Sequence, residues 1–182
     1  MAQISHEQVC KYLQRADSAQ TKDEKGKALE DLIGYLFSTI PGIEMSNQDA
    51  LDVFVSDEID LAFWNERHPE GLWALIFPDI IFVECKNWTG RVGSHEVRSF
   101  TQKLQERSLH FGVLVATNGI TGDPHDLTNA HHAIAYAQSQ YCRILVITRT
   151  EIENIATSNQ LVNLLKQKLC DLIVFKTCFT VR

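Results

Sequence analysis

The sequence predicts an α/β protein, with helices packed around a mixed sheet. Two observations carry this. Three apolar runs, Ile80 to Lys86, Phe111 to Ala116 and Arg143 to Thr148, are separated by stretches of helical period, the signature of parallel strands joined by right-handed crossovers. Before them, short strand-like runs alternate with turn signals, which reads as an antiparallel meander.

The elements follow in order. Residues 4–18 space Ile4, Val9 and Leu13 as a short amphipathic helix. Thr21 to Thr39 is a second helix, with Ala28, Leu29, Leu32, Ile33, Leu36 and Phe37 on one face. Thr21 and Glu24 make a capping box, and Pro41-Gly42 stops the helix. Residues 43–47 are a first strand and Asn47 to Ala50 a turn. Val53 to Trp64 holds a second strand, clearest at Ile59 to Phe63. Asn65 to Gly71 is a loop, Leu72 to Phe77 a strand, Pro78-Asp79 a turn and Ile80 to Lys86 the next strand. Ser94 caps a helix to about Leu109, with Val97, Phe100 and Leu104 inside. Phe111 to Ala116 is a buried strand, Thr117 to Asp126 a loop and Leu127 to Ser139 a helix. Arg143 to Thr148 is a strand, Thr150 caps a short helix, and Gln160 to Val174 is the last helix.

The chain has 182 residues, which predicts one domain with a substantial core. It is 45% hydrophobic and 22% charged, an ordinary globular balance. No apolar run reaches a membrane span of ~20 residues, and the polar N-terminus is no secretory signal. A cytoplasmic location is expected. Five cysteines without a CxxC pair point to reduced thiols. The net charge of −6 counts against binding DNA by bulk electrostatics, but not against carboxylates that gather a metal ion.

The chemistry concentrates at Val83-Glu84-Cys85-Lys86-Asn87-Trp88. Alternation along a strand sends Glu84 and Lys86 to one face and Cys85 to the other. A plain same-face salt bridge accounts for the pair equally well. Asp60 also sits within an apolar strand, where a charge calls for a partner. If its strand lies beside that of Glu84, two carboxylates converge, and a divalent cation such as Mg²⁺ suits such hard oxygen donors. Glu30 is a third acid, on the second helix between Gly26 and Gly34. It reads equally as a surface acid paired to Lys27. Asp79 competes with Asp60 as first acid, but Pro78-Asp79 has turn chemistry, and Glu84 five residues on falls on the opposite face of a strand.

Glu30, Asp60 and Glu84-Cys85-Lys86, followed by Val92-Gly93-Ser94-His95-Glu96-Val97-Arg98 and by Gly112 to Gly119, resemble the PD-(D/E)xK nuclease superfamily, and within it the Mrr-like restriction endonuclease branch. The resemblance covers about residues 25–135. It implies a restriction-endonuclease-like α/β/α sandwich around a mixed central sheet. It also implies a metal-dependent deoxyribonuclease that hydrolyses DNA phosphodiester bonds, in restriction or phage defence. By the same resemblance Asp60, Glu84 and the Cys85 carbonyl hold Mg²⁺, for which Mn²⁺ substitutes. Lys86 positions or activates the attacking water, Glu30 is an auxiliary ligand through water, and Gln102, with Gln105 behind it, completes the site. Arg91, Arg98, Lys103 and Arg107 make the following region locally positive. DNA is the expected partner, a homodimer the expected assembly, with a larger defence complex conceivable. A catalytically silent DNA-binding or assembly module is the competing reading.

Overall fold

The computed structural model describes residues 2–51, 58–72 and 76–179. Its elements are α1 (His6–Ser18), α2 (Lys22–Ser38), β1 (Ile43–Leu51), β2 (Glu58–Asn65), β3 (Ile80–Lys86), α3 (Ser94–Glu106), β4 (Phe111–Ala116), α4 (Asn129–Ser139), β5 (Arg143–Ile147), α5 (Arg149–Glu153) and α6 (Ser158–Phe175). The strands form one sheet in the order β1-β2-β3-β4-β5. β1, β2 and β3 pair antiparallel, whereas β3, β4 and β5 pair parallel. The meander and the crossovers thus share one mixed sheet, with helices on both sides.

Alternation assigns the faces. Leu61, Phe63, Ile81 and Val83 are buried against the α2 layer, where Phe37 stacks on Phe63 at 5.0 Å between ring centroids. α1 and α6 pack on the same side as α2. The other face carries Phe82, Glu84 and Lys86 and is covered by α3 and α4. Gly112 of β4, opposite Phe82, sits directly beneath Phe100 and Leu104 of α3. β4 is buried along its whole length, as a parallel strand between two helical layers must be.

Local chemistry sets the helix starts. In α2 the Thr21 hydroxyl accepts from the Glu24 N–H, while Glu24 accepts from the Thr21 N–H. At α3 the cap is Gly93 rather than Ser94, and its N–H donates to Glu96. At α5 it is Thr148 rather than Thr150, bound to Glu151 through both its N–H and its hydroxyl. The predicted turn at Asn47 to Ala50 is instead part of β1. A bulge between Met45 and Asn47 inserts one residue, which reverses the side-chain alternation after it. Gln48 consequently lies opposite Leu61 and faces α2. Residues 53–57 of the predicted second strand and 73–75 of the predicted strand before Pro78 lie outside the described residues. Ile76 and Phe77 form a turn. Among the described residues, no helix is long and apolar enough to cross a membrane.

A Cβ added at Gly112 would stand 2.6 Å from Phe100 Cζ and 2.8 Å from Leu104 Cδ1. Gly112→Ala must push α3 off the sheet, at a cost of about 1–3 kcal/mol. A lowered urea midpoint with unchanged slope is the expected result. An unchanged midpoint would show that α3 is not held by this contact.

Candidate active site

The β2–β3 register pairs Leu61 with Val83 and Ala62 with Phe82. Continued by one residue, it sets Asp60 opposite Glu84 on the face toward α3. Residues opposite one another on antiparallel strands have side chains about 5 Å apart, so two carboxylates meet at the end of β3. The end of β3 is itself held firmly. The Lys86 carbonyl accepts from the N–H of Thr117 at 3.2 Å and from its hydroxyl at 3.3 Å. Asn87 donates to the Lys25 carbonyl of α2 at 3.1 Å.

The partners of each acid differ. Asp60 Oδ2 accepts the Cys85 N–H at 2.6 Å. Glu84 is almost fully buried, with Lys86 Nζ 2.7 Å from Oε1 and Lys103 Nζ 3.2 Å from Oε2. Lys86 Nζ also lies 5.9 Å from the ring centre of the exposed Trp88. Glu30 arrives from the α2 layer. Its carboxylate lies 3.6 Å from Lys27 Nζ and 3.5 Å from Gln48 Nε2, and Asp49 neighbours it and pairs with Lys27. Asp49 has φ +50°, which aspartate tolerates better than most residues.

Proton affinities record the crowding. Burial first, and then the Glu84 charge, push Asp60 up to about 6. Burial, Asp49 and Asp60 push Glu30 up to about 7. Burial pushes the Cys85 thiol up, reinforced by Asp60, Glu30 and Glu84. Burial works against the charge of Lys86, but Glu84 and Asp60 outweigh it and hold its ammonium above the usual range. The structure therefore brings Asp60, Glu84 and Lys86 together and places Glu30 within electrostatic reach of Asp60.

It does not bring in Gln102. That side chain is exposed, bonds Glu106 at 2.7 Å and lines a groove between α3 and α4 beside Arg98 and Tyr136. A helix turns 100° per residue, and the next residue, Lys103, faces Glu84 instead. Asp79 lies at the opposite end of β3, in a bidentate ion pair with Arg67 at 2.8 and 2.9 Å. Asp49 is not a candidate from the sequence, and Lys103 figures there only in the locally positive stretch after the motif, not as a partner of Glu84. Lys103 had a signal: it directly precedes Leu104 and so borders the buried stripe of α3.

Among the described residues, no three His, Cys, Asp or Glu side chains already form a metal cage. The donor set still fits a hard divalent cation. Two carboxylates lie on one face and repel each other, and a third sits nearby. Mg²⁺ needs only one or two carboxylates and keeps its waters.

Residues 22–156 match the family model Mrr_cat, described as a restriction endonuclease. No curated protein matches the chain.

Asp60 and Glu30 bind protons more tightly folded than unfolded, so the folded state gains stability at low pH. That gain is complete below about 4 and disappears as pH rises through about 6 for Asp60 and about 7 for Glu30. Metal-free protein should therefore melt at lower temperature at pH 8 than at pH 5. Asp60→Asn should flatten much of this slope and stabilise the protein at pH 8, by on the order of 2 kcal/mol. Equal pH slopes for wild type and variant would show that Asp60 is not crowded.

Proposed function

Because the chain belongs to the Mrr_cat restriction endonuclease family over residues 22–156, we propose that residues 1–182 form one nuclease domain that cleaves DNA with Mg²⁺ or Mn²⁺. The observation that carries this reading is the meeting of Asp60, Glu84 and Lys86 at one end of β3. Restriction or phage defence in the cytoplasm, as a homodimer able to cut both strands, belongs to the same reading.

The roles follow from the chemistry of each group. Asp60 and Glu84, with the Cys85 carbonyl, would hold the cation, and Glu30 would reach it through water. When bound, the cation supplies charge neutralisation at the phosphate and makes water a better nucleophile. Lys86 contributes the rest. Its ammonium is anchored by Glu84 and kept charged by two acids. From there it orients a water in line with the phosphorus and offsets negative charge as the bond to the leaving oxygen lengthens. Trp88, exposed beside Lys86, offers a flat surface to the sugar or base next to the scissile bond.

A second reading, a catalytically silent binding or assembly module, draws support from the net charge of −6 and from the two lysines that already neutralise Glu84.

Lys86→Ala and Asp60→Asn should each lower cleavage of supercoiled plasmid at least ~100-fold, with the fold retained. An activity gel with Mg²⁺ or Mn²⁺ and circular dichroism of the same samples measure both. Undiminished cleavage in either variant overturns the assignment of that residue to the active site. No cleavage and no Mn²⁺ heat from the wild type would favour the silent module.

A further inference from the structure

Glu84 has two ammonium partners where the three-residue motif provides one. Lys86 approaches Oε1 at 2.7 Å from the same strand. Lys103, from the third turn of α3, lies 3.4 Å from Oε1 and 3.2 Å from Oε2, and also donates to the Glu58 carbonyl at 2.9 Å. Its side chain is only 14% exposed. Confining a lysine in this way costs hydration and rotamer freedom. Val97, Phe100 and Leu104 bury the apolar face of α3 beside it.

Charge counting gives the arrangement a function. With Asp60 and Glu84 ionised, Lys86 and Lys103 balance the charge of that pair without any metal. A divalent cation then has to share Glu84 with two ammonium groups a few ångströms away, and like charges at that range oppose its entry. A DNA phosphate would relieve the excess, since it offers Lys103 an alternative partner at the tip of a flexible stem.

We propose that Lys103 is a positioning residue that occupies the electrostatic place of the divalent cation while DNA is absent, so that cation and DNA phosphate bind cooperatively. This rests on the nuclease reading above. By linkage, each ligand then raises the affinity for the other by the same factor. The premature loading of a cation without substrate is disfavoured by the same charge.

Lys103→Met keeps the length of the stem and removes the charge. Calorimetric titration of the full chain with Mn²⁺, without DNA, should show about tenfold tighter binding in Lys103→Met than in wild type. Lys103→Arg should bind as wild type does. In fluorescence anisotropy with a labelled duplex, Ca²⁺ should strengthen wild-type DNA binding and strengthen that of Lys103→Met far less. Mn²⁺ affinity unchanged or weakened in Lys103→Met overturns the proposal, and weakening together with a lower melting temperature assigns Lys103 a structural role only. If Lys103→Met does not fold, Lys103→Gln takes its place in the same titration. Mn²⁺ binding by wild type with no gain in the variant overturns this inference alone. No Mn²⁺ binding by wild type overturns it together with the nuclease reading.

Discussion

Two carboxylates on one sheet face, opposite each other on adjacent strands, set the terms for the rest of the site. Asp60 and Glu84 repel, and burial removes the water that would otherwise screen them. The protein answers with fixed dipoles and cations: the Cys85 N–H on Asp60, and Lys86 and Lys103 on Glu84. Each of these groups is tied to an element of the fold. The N–H belongs to the strand that carries Glu84, Lys86 to its last residue, and Lys103 to a helix seated on Gly112. A residual strain remains, visible in the raised proton affinities of Asp60 and Glu30. A cation bound as proposed would relieve this repulsion.

The sheet order makes the meeting possible. β3 is the strand at which pairing changes from antiparallel to parallel. Its antiparallel neighbour supplies Asp60, while its parallel neighbour supplies Thr117, which grips the carbonyl of Lys86. The two helical layers then approach from opposite faces: α3 delivers Lys103, and α2 delivers Glu30. The bulge in β1 contributes from further away, since it turns Gln48 toward Glu30 and Asp31. Close packing of α2 on β1 follows from the small residue at Gly34, where an added Cβ would stand 3.3 Å from Met45 Sδ.

Much of this is legible in the chain. The run Ile80 to Lys86 identifies its own strand and faces, because apolar continuity and alternation are local properties. The capping box at Thr21 is local too, and so is the end of α2 before Pro41-Gly42. Gln102 illustrates where local reading stops. It and Lys103 are both polar residues beside the apolar stripe of α3, and only the crossing of that helix over the sheet decides which of them faces Glu84. The turn expected at Asn47 to Ala50 fails for a similar reason. Polar residues with turn chemistry are held in β1 by pairing to β2, an interaction between segments that propensity does not contain.

The α/β class came from the sequence alone, because hydrophobic period is written within short stretches, and through the restriction-endonuclease-like resemblance the sequence pointed to Glu30, Asp60, Glu84 and Lys86 as candidates. The tertiary structure decided which strand lies beside β3, that Asp79 stands with Arg67 at the far end, and that Lys103 rather than Gln102 reaches Glu84. Those outcomes depend on register, helix azimuth and the summed charge of groups far apart in the chain, and such quantities exist only once the segments have packed.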